Sequence, residues 1–194
     1  MTELSKKLYT YKDLEAFPED MRVELEDGSL VVQPSPISDH SSSQGKIRRF
    51  IGGPFDDDDG YDGPGGWWIL ADIDVEFDNF NTKRPDLAGW RRDRLPDPHK
   101  LCPITIVPDW ICEILSPSNA SYDRKSKANL YAAHGVKHYW ILDPEVCLLE
   151  IYELQAGKWM QLGVYDRADK QVRLVPFDAI VVNVDRFFLP SRRI

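Results

Sequence analysis

Two carboxylates sit in apolar surroundings where an ionised group is costly. Glu113 lies inside the run Trp110-Ile111-Cys112-Glu113-Ile114-Leu115, and Asp86 opens a shorter apolar segment, Leu87-Ala88. A buried charge of this kind needs a partner ion or a metal. If the two segments are neighbouring strands, a spacing of about 4.8 Å brings both carboxylates within reach of one cation. Oxygen-only ligation suits Mg²⁺ or Mn²⁺ rather than zinc, and the backbone carbonyl of Ile114 is a further candidate ligand. The alternative is structural: either acid pairs with an arginine such as Arg84.

A cation follows at helical spacing. Asp123, Lys127 and Tyr131 recur at i, i+4 and i+8, so a helix here puts them on one face. The long stem of Lys127 can return its ammonium group towards Glu113. There it would stabilise developing phosphate charge or orient an attacking water, as metal-assisted phosphoryl chemistry requires. The competing reading is an Asp123–Lys127 surface pair worth roughly a few tenths of a kcal/mol.

The elements that must position these groups form one unit, residues 108–144. A strand through Glu113 stops at Ser116-Pro117, a helix ends at Gly135, and a second apolar strand, His138–Leu142, closes at Asp143-Pro144. Upstream, Arg22–Glu26 and Ser29–Gln33 flank Asp27-Gly28, a dipeptide favoured in two-residue hairpin turns. A short helix is expected over 10–17 and a longer one over 37–51. Trp67–Phe77 alternates as one strand, with Ile69, Ala71, Ile73, Val75 and Phe77 inward and Asp72, Asp74 and Glu76 in water. Phe80-Asn81-Thr82 reads as the turn after it. Residues 91–107 form an insertion rich in proline and charge, Val146–Leu154 and Lys158–Tyr165 a C-terminal hairpin, and Gln171–Val175 an edge strand. Residues 52–66 read as a loop. Its Asp56–Asp59 run lacks the ligand spacing of a calcium loop, so a solvated acidic loop is expected.

Composition sets the outer bounds. The 194 residues suit one domain spanning 1–194, and carry a net charge of −8, which argues against general nucleic-acid binding. The imbalance is local: residues 1–80 hold 7 basic and 18 acidic side chains, and the remainder holds 17 and 14. Within 81–100, six basic residues, among them Arg84, Arg91, Arg92 and Arg94, face three aspartates, which makes this stretch the candidate phosphate-binding surface. Cys102, Cys112 and Cys147 are odd in number and unclustered, fitting reduced thiols in a cytoplasmic protein. No apolar run is long enough for a membrane span, and no secretory leader is visible.

The motifs Arg84-Pro85-Asp86-Leu87, Glu113-Ile114-Leu115-Ser116-Pro117-Ser118, Asp123-x3-Lys127-x3-Tyr131 and Gly135-Val136-x2-Tyr139-Trp140-Ile141-x-Asp143-Pro144, together with Glu24-Leu25-x-Asp27-Gly28, resemble the Uma2 family. These are restriction-endonuclease-like proteins of the PD-(D/E)xK nuclease superfamily. The resemblance implies an α/β (α+β) fold. Its restriction-endonuclease-like core would be a mixed central β-sheet flanked by helices, with an extra N-terminal hairpin and a C-terminal β-hairpin. It implies a Mg²⁺- or Mn²⁺-dependent DNA endonuclease acting without a membrane, and a homodimer is expected. Asp86 stands at the superfamily's metal-binding aspartate and Glu113 at its second acid. The superfamily lysine normally lies two residues after that acid, where this chain has Leu115; Uma2-like sequences carry it on the following helix, here Lys127. Glu24 matches the hairpin glutamate, and His40 a histidine frequent at the start of a helix. The rival expectation is a catalytically inactive scaffold of the same fold, serving as a nucleic-acid or protein-binding module.

Overall fold

The computed structural model describes residues 7–18, 21–56, 63–117 and 120–190. After a short helix α1 (Tyr11–Leu14), β1 (Val23–Glu26) and β2 (Ser29–Val32) form the expected hairpin. Asp27 and Gly28 both take positive φ, 46° and 69°, as a tight turn that matches strand twist demands. The hairpin is not an appendage. With β4 (Val75–Asp78) and β5 (Asn81–Lys83) it builds a four-stranded sheet ordered β2-β1-β5-β4.

The second sheet holds six strands, β10-β9-β8-β7-β6-β3. These are β3 (Trp67–Ala71), β6 (Leu87–Arg91), β7 (Trp110–Ile114), β8 (His138–Asp143), β9 (Leu148–Gln155) and β10 (Lys158–Tyr165). Only β7 and β8 run parallel. The helical segment between them supplies the crossover that parallel neighbours need. That segment runs from α4 (Ala120–Tyr122) through a π-helical turn at Asp123–Lys127 into α5 (Ala128–Ala133). On the other face lies α2 (Ser38–Ile47), continued by a π-helical turn to Gly52 and then α3 (Gly53–Asp56). The mixed sheet between helices is the expected architecture.

β7 is buried along its whole length, as a central strand covered on both faces must be. Trp110, Cys112 and Ile114 point into a core shared with Ile47, Ile51, Phe55 and Phe177. Ile111 joins Tyr131, Val136 and Tyr139 on the opposite face. By the alternation of a strand, Glu113 therefore faces the α5 side.

Several local expectations fail for tertiary reasons. Trp67–Phe77 is two strands in two sheets: Asp72 takes φ 51°, and the chain crosses from the six-stranded sheet to the four-stranded one. Asp74 is consequently buried rather than wet, and binds Arg84. Asn81–Lys83, read as part of a turn, is β5, and the turn is Asn79-Phe80. The 171–175 segment makes one bridge, Val172 to Val182, instead of a strand. The 91–107 insertion is packed: Trp68 and Trp90 donate their indole N–H groups to the carbonyls of Leu95 and Ile106. Asp56 ends α3 and pairs with Arg48, so it is not a solvated loop residue. The other aspartates of that run lie outside the described residues.

Gly89 on β6 is closely packed between two indoles. A β-carbon there would lie 3.0 Å from a ring carbon of Trp110 and 3.4 Å from one of Trp67. We predict that Gly89→Val destabilises the protein by about 1–3 kcal/mol through overpacking. Urea denaturation measures it; a midpoint equal to wild type would mean the two indoles have room to move.

Candidate active site

The six-stranded sheet brings the two embedded acids together. Leu87 on β6 pairs with Cys112 on β7, so Asp86 and Glu113 are the next residues along adjacent strands. Asp86 Oδ2 accepts a 2.7 Å hydrogen bond from the Ile114 backbone N–H and lies 3.0 Å from His40 Nε2. Arg22 Nη2 is 3.5 Å from its other oxygen. Gln44 holds the Asp86 carbonyl at 2.9 Å. His40 and Gln44 stand four apart on α2, so one helix face serves this aspartate.

Glu113 is met from the crossover helix. Its Oε1 accepts from Lys127 Nζ at 3.1 Å and from the Tyr131 hydroxyl at 2.6 Å. Lys127 also lies 3.3 Å from Asp123 and 3.5 Å from Glu24. The ammonium group thus joins three carboxylates from β1, β7 and the helix. The π-helical turn that carries Asp123 and Lys127 is tied down by the Tyr139 hydroxyl, which donates to the Asp123 carbonyl at 3.0 Å. Such turns recur at functional sites because they re-aim side chains out of regular register. Glu24 is itself held by Gln33 and by the Arg84 backbone N–H, each at 3.0 Å.

The electrostatics are strained. Glu24, Asp86, Glu113, Asp123 and Lys127 are all 5% exposed or less, and three of these carboxylates share the Lys127 ammonium group. Burial, opposed by Lys127 and reinforced by Asp123, Asp86 and Glu24, pushes Glu113 up to about 8. Burial also raises Asp123. Asp86 moves the other way: burial raises it, but the His40, Lys127 and Ile114 contacts prevail and hold it below the usual carboxylate range. Burial works against the Lys127 ammonium, yet Glu113, Glu24, Asp123 and Asp86 together keep it charged.

A stability consequence follows for the metal-free protein. Glu113 binds its proton more tightly folded than unfolded, where the value is about 4.3. Its contribution is fully present below that value and is lost as pH rises through about 8. We predict falling thermal stability in EDTA across that window, and a shallower slope in Glu113→Gln, with Asp123 supplying the remainder. Parallel slopes for the two proteins would refute the assignment.

The donor set suits a hard cation. Every candidate ligand is an oxygen, and three carboxylates, Glu24, Glu113 and Asp123, crowd one ammonium group. Among the described residues no three His, Cys, Asp or Glu side chains form a ready metal cage. The fit is therefore a two-carboxylate one, Asp86 and Glu113, of the kind Mg²⁺ completes with water and substrate oxygens. Next to these acids is a cavity of about 30 Å³, lined by Arg22, His40 and Lys127 among others.

The expected basic surface is not brought here. Arg84 commits its guanidinium to Asp74 at 2.7 and 3.0 Å, so it is not the partner of Asp86, and only its backbone touches the site. Asp86 immediately precedes β6 and Arg91 ends it, a separation of about 17 Å at strand rise. At that far end Arg91 stacks on Trp67, Arg92 on Trp68, and Arg94 pairs with buried Asp109. These three therefore sit at the opposite end of β6 from the acids, each with a contact of its own within the fold. Conversely, Arg22, Gln33, Gln44 and Tyr122 enter the site without any signal in sequence. Tyr122 accepts from buried Lys83 at 2.6 Å and stands 3.5 Å from Glu24.

Residues 8–184 match the Uma2 family, described as "Putative restriction endonuclease". Among solved structures, the chain is similar to one titled a "putative nuclease belonging to DUF820" from Anabaena variabilis ATCC 29413. Identity is 21% and the TM-score 0.69, covering 92% of this chain and 97% of that one, a likeness of fold. No curated protein matches.

Proposed function

We propose, from the premise that this chain belongs to the Uma2 family, that it is a metal-dependent DNA endonuclease hydrolysing phosphodiester bonds. One observation carries the reading: Asp86 and Glu113 on adjacent strands converge with Lys127, which is 3.1 Å from Glu113. A structural ion pair needs one acid per lysine. Here three carboxylates touch one ammonium, and Asp86 stands beside them with His40 and Arg22, an acid-rich cluster of the kind that holds a divalent cation.

Asp86 and Glu113 would hold Mg²⁺ or Mn²⁺, which when bound supplies Lewis-acid polarisation of a phosphoryl oxygen and a more acidic water. His40 and Arg22 fix the Asp86 carboxylate, and the Ile114 N–H fixes its rotamer. Glu24 and Asp123 hold the Lys127 ammonium in place, where it orients the attacking water or stabilises transition-state charge. Tyr131 keeps Glu113 turned towards that group.

The test is cleavage of supercoiled plasmid and of single-stranded DNA in Mn²⁺ or Mg²⁺ against EDTA. Nicking or linearisation that needs the metal supports the reading; inert DNA in every metal would sink it. A scaffold reading has its own observation: Lys127 already fills the centre of the acids, leaving only about 30 Å³ beside them. DNA binding without cleavage would favour it. Among the described residues no helix is long and apolar enough to cross a membrane.

A further inference from the structure

A second group of cations, Lys46, Arg49 and Arg186, lies on and beside the helical segment that also serves the acid site. One face of this helix turns His40 and Gln44 onto Asp86. Another borders an open groove of about 590 Å³, whose far wall is the segment 185–190. Ser41, Ser42 and Gly45 leave that wall of the helix low, and Gly45 has no neighbour where a β-carbon would point. At the end of the groove two exposed arginines, Arg49 and Arg186, pack on the ring of Phe50 at 5.4 and 5.2 Å from its centroid.

Like charges gathered on one ring repel, and an acidic protein has carboxylates to spare. Yet among the described residues neither guanidinium has a carboxylate within ion-pair distance. The nearest acid in the groove, Asp185, is committed to Arg167 at 2.7 Å and Lys170 at 2.8 Å. Lys46 adds a third cation, anchored on the Phe188 carbonyl. Two guanidinium groups over one ring, with no carboxylate partner among the described residues, form a phosphate-binding pair, since their planar forks match phosphate oxygens. From Ser41 to Arg49 the helix advances about 12 Å. That is roughly three to four nucleotide steps of a strand.

We propose that this groove carries the phosphodiester backbone of the DNA strand entering the acid site, with Arg49 and Arg186 as its phosphate contacts. The assignment rests on the nuclease reading of the acid site and gives that site a direction of approach. A polyanion fits because the groove offers positive charge at Arg49, Arg186 and Lys46 and a low wall of small side chains beside the Phe50 ring.

Binding is measured by fluorescence anisotropy with a short fluorescein-labelled DNA duplex in EDTA, over a range of salt. Arg49→Ala/Arg186→Ala should weaken binding about tenfold and lower the slope of log affinity against log salt by about 2. Arg49→Lys/Arg186→Lys should keep most of that slope. Lys100→Ala/Lys158→Ala, which removes the same charge from exposed sites elsewhere, should change little. Equal losses in the alanine pair and this control, an alanine pair that binds like wild type, or a wild type that does not bind, would each overturn the track. The acid site is judged separately, by cleavage in Mn²⁺, so failure of one assignment leaves the other distinguishable.

Discussion

Asp86→Asn should lower metal-dependent cleavage by at least about 100-fold while leaving a folded protein. Loss of a residue that merely supports a metal ligand costs about 10–100-fold, and removing a ligand itself costs no less. The asparagine amide keeps an oxygen for the Ile114 N–H, which donates to Asp86 at 2.7 Å, so the β6–β7 junction retains its link. What disappears is the negative charge, the property that would bind the cation. The measurement is initial plasmid nicking rate in Mn²⁺ with a thermal melt on the same preparation. Cleavage within a few-fold of wild type, from a protein that melts normally, would remove Asp86 from the site. Cleavage restored by raising Mn²⁺ concentration would identify the defect as one of metal affinity.

Lys127→Met should have the largest effect on stability, about 3–5 kcal/mol at pH 8, because it strips the enclosed carboxylates of their ammonium partner. Lys127 lies within 3.5 Å of Glu24, Glu113 and Asp123. The cost should shrink as pH falls, since Glu113, held at about 8, and the raised Asp123 then carry protons and need no counter-charge. Combining it with Glu113→Gln should recover part of the loss, because the two groups interact directly and their effects cannot add. Denaturant titrations at pH 5.5 and 8 decide the matter. A pH-independent loss would assign the effect to packing of the lysine stem. Cleavage should fall in Lys127→Met even when Mg²⁺ is saturating, which separates the ammonium's role from metal affinity.

The site shows where local reasoning carries. Glu113 stood out because a charge inside an apolar strand must be compensated somewhere. Lys127 was legible as its partner because helical periodicity puts it on one face with Asp123 and Tyr131; that Tyr131 also reaches Glu113 Oε1 only the structure shows. The π-helical turn did not scatter them, since the turn is anchored by Tyr139 and re-enters regular helix at Ala128. The Asp27-Gly28 turn was equally local: two consecutive positive φ angles restrict which residues can stand there.

What failed was the reading of Trp67–Phe77 as one strand, because long-range sheet pairing divides it. Period-two alternation runs unbroken from Trp67 to Phe77, and nothing in it marks the crossing at Asp72 between sheets. Burial of Asp74 follows from that crossing, and with it the capture of Arg84. The 81–100 cations are contiguous in sequence, but a strand carries them apart at about 3.3 Å per residue, so Arg91 ends far from Asp86. Arg49 and Arg186 are separated by most of the chain and meet on Phe50 only because the 185–190 segment folds against α2.

By itself the sequence determined the chemistry of this protein: an oxygen-rich acid pair, a lysine to balance it, and the crossover unit that carries both. Those features depend on desolvation cost and backbone periodicity, which act over a few residues. Tertiary structure decided the company that chemistry keeps. It placed Glu24, Arg22 and His40 around the acids, carried Arg91 to the far end of β6, and left Arg49 and Arg186 facing an open groove. These outcomes depend on long-range sheet pairing, in which the energy belongs to contacts between segments and leaves no mark on either one alone.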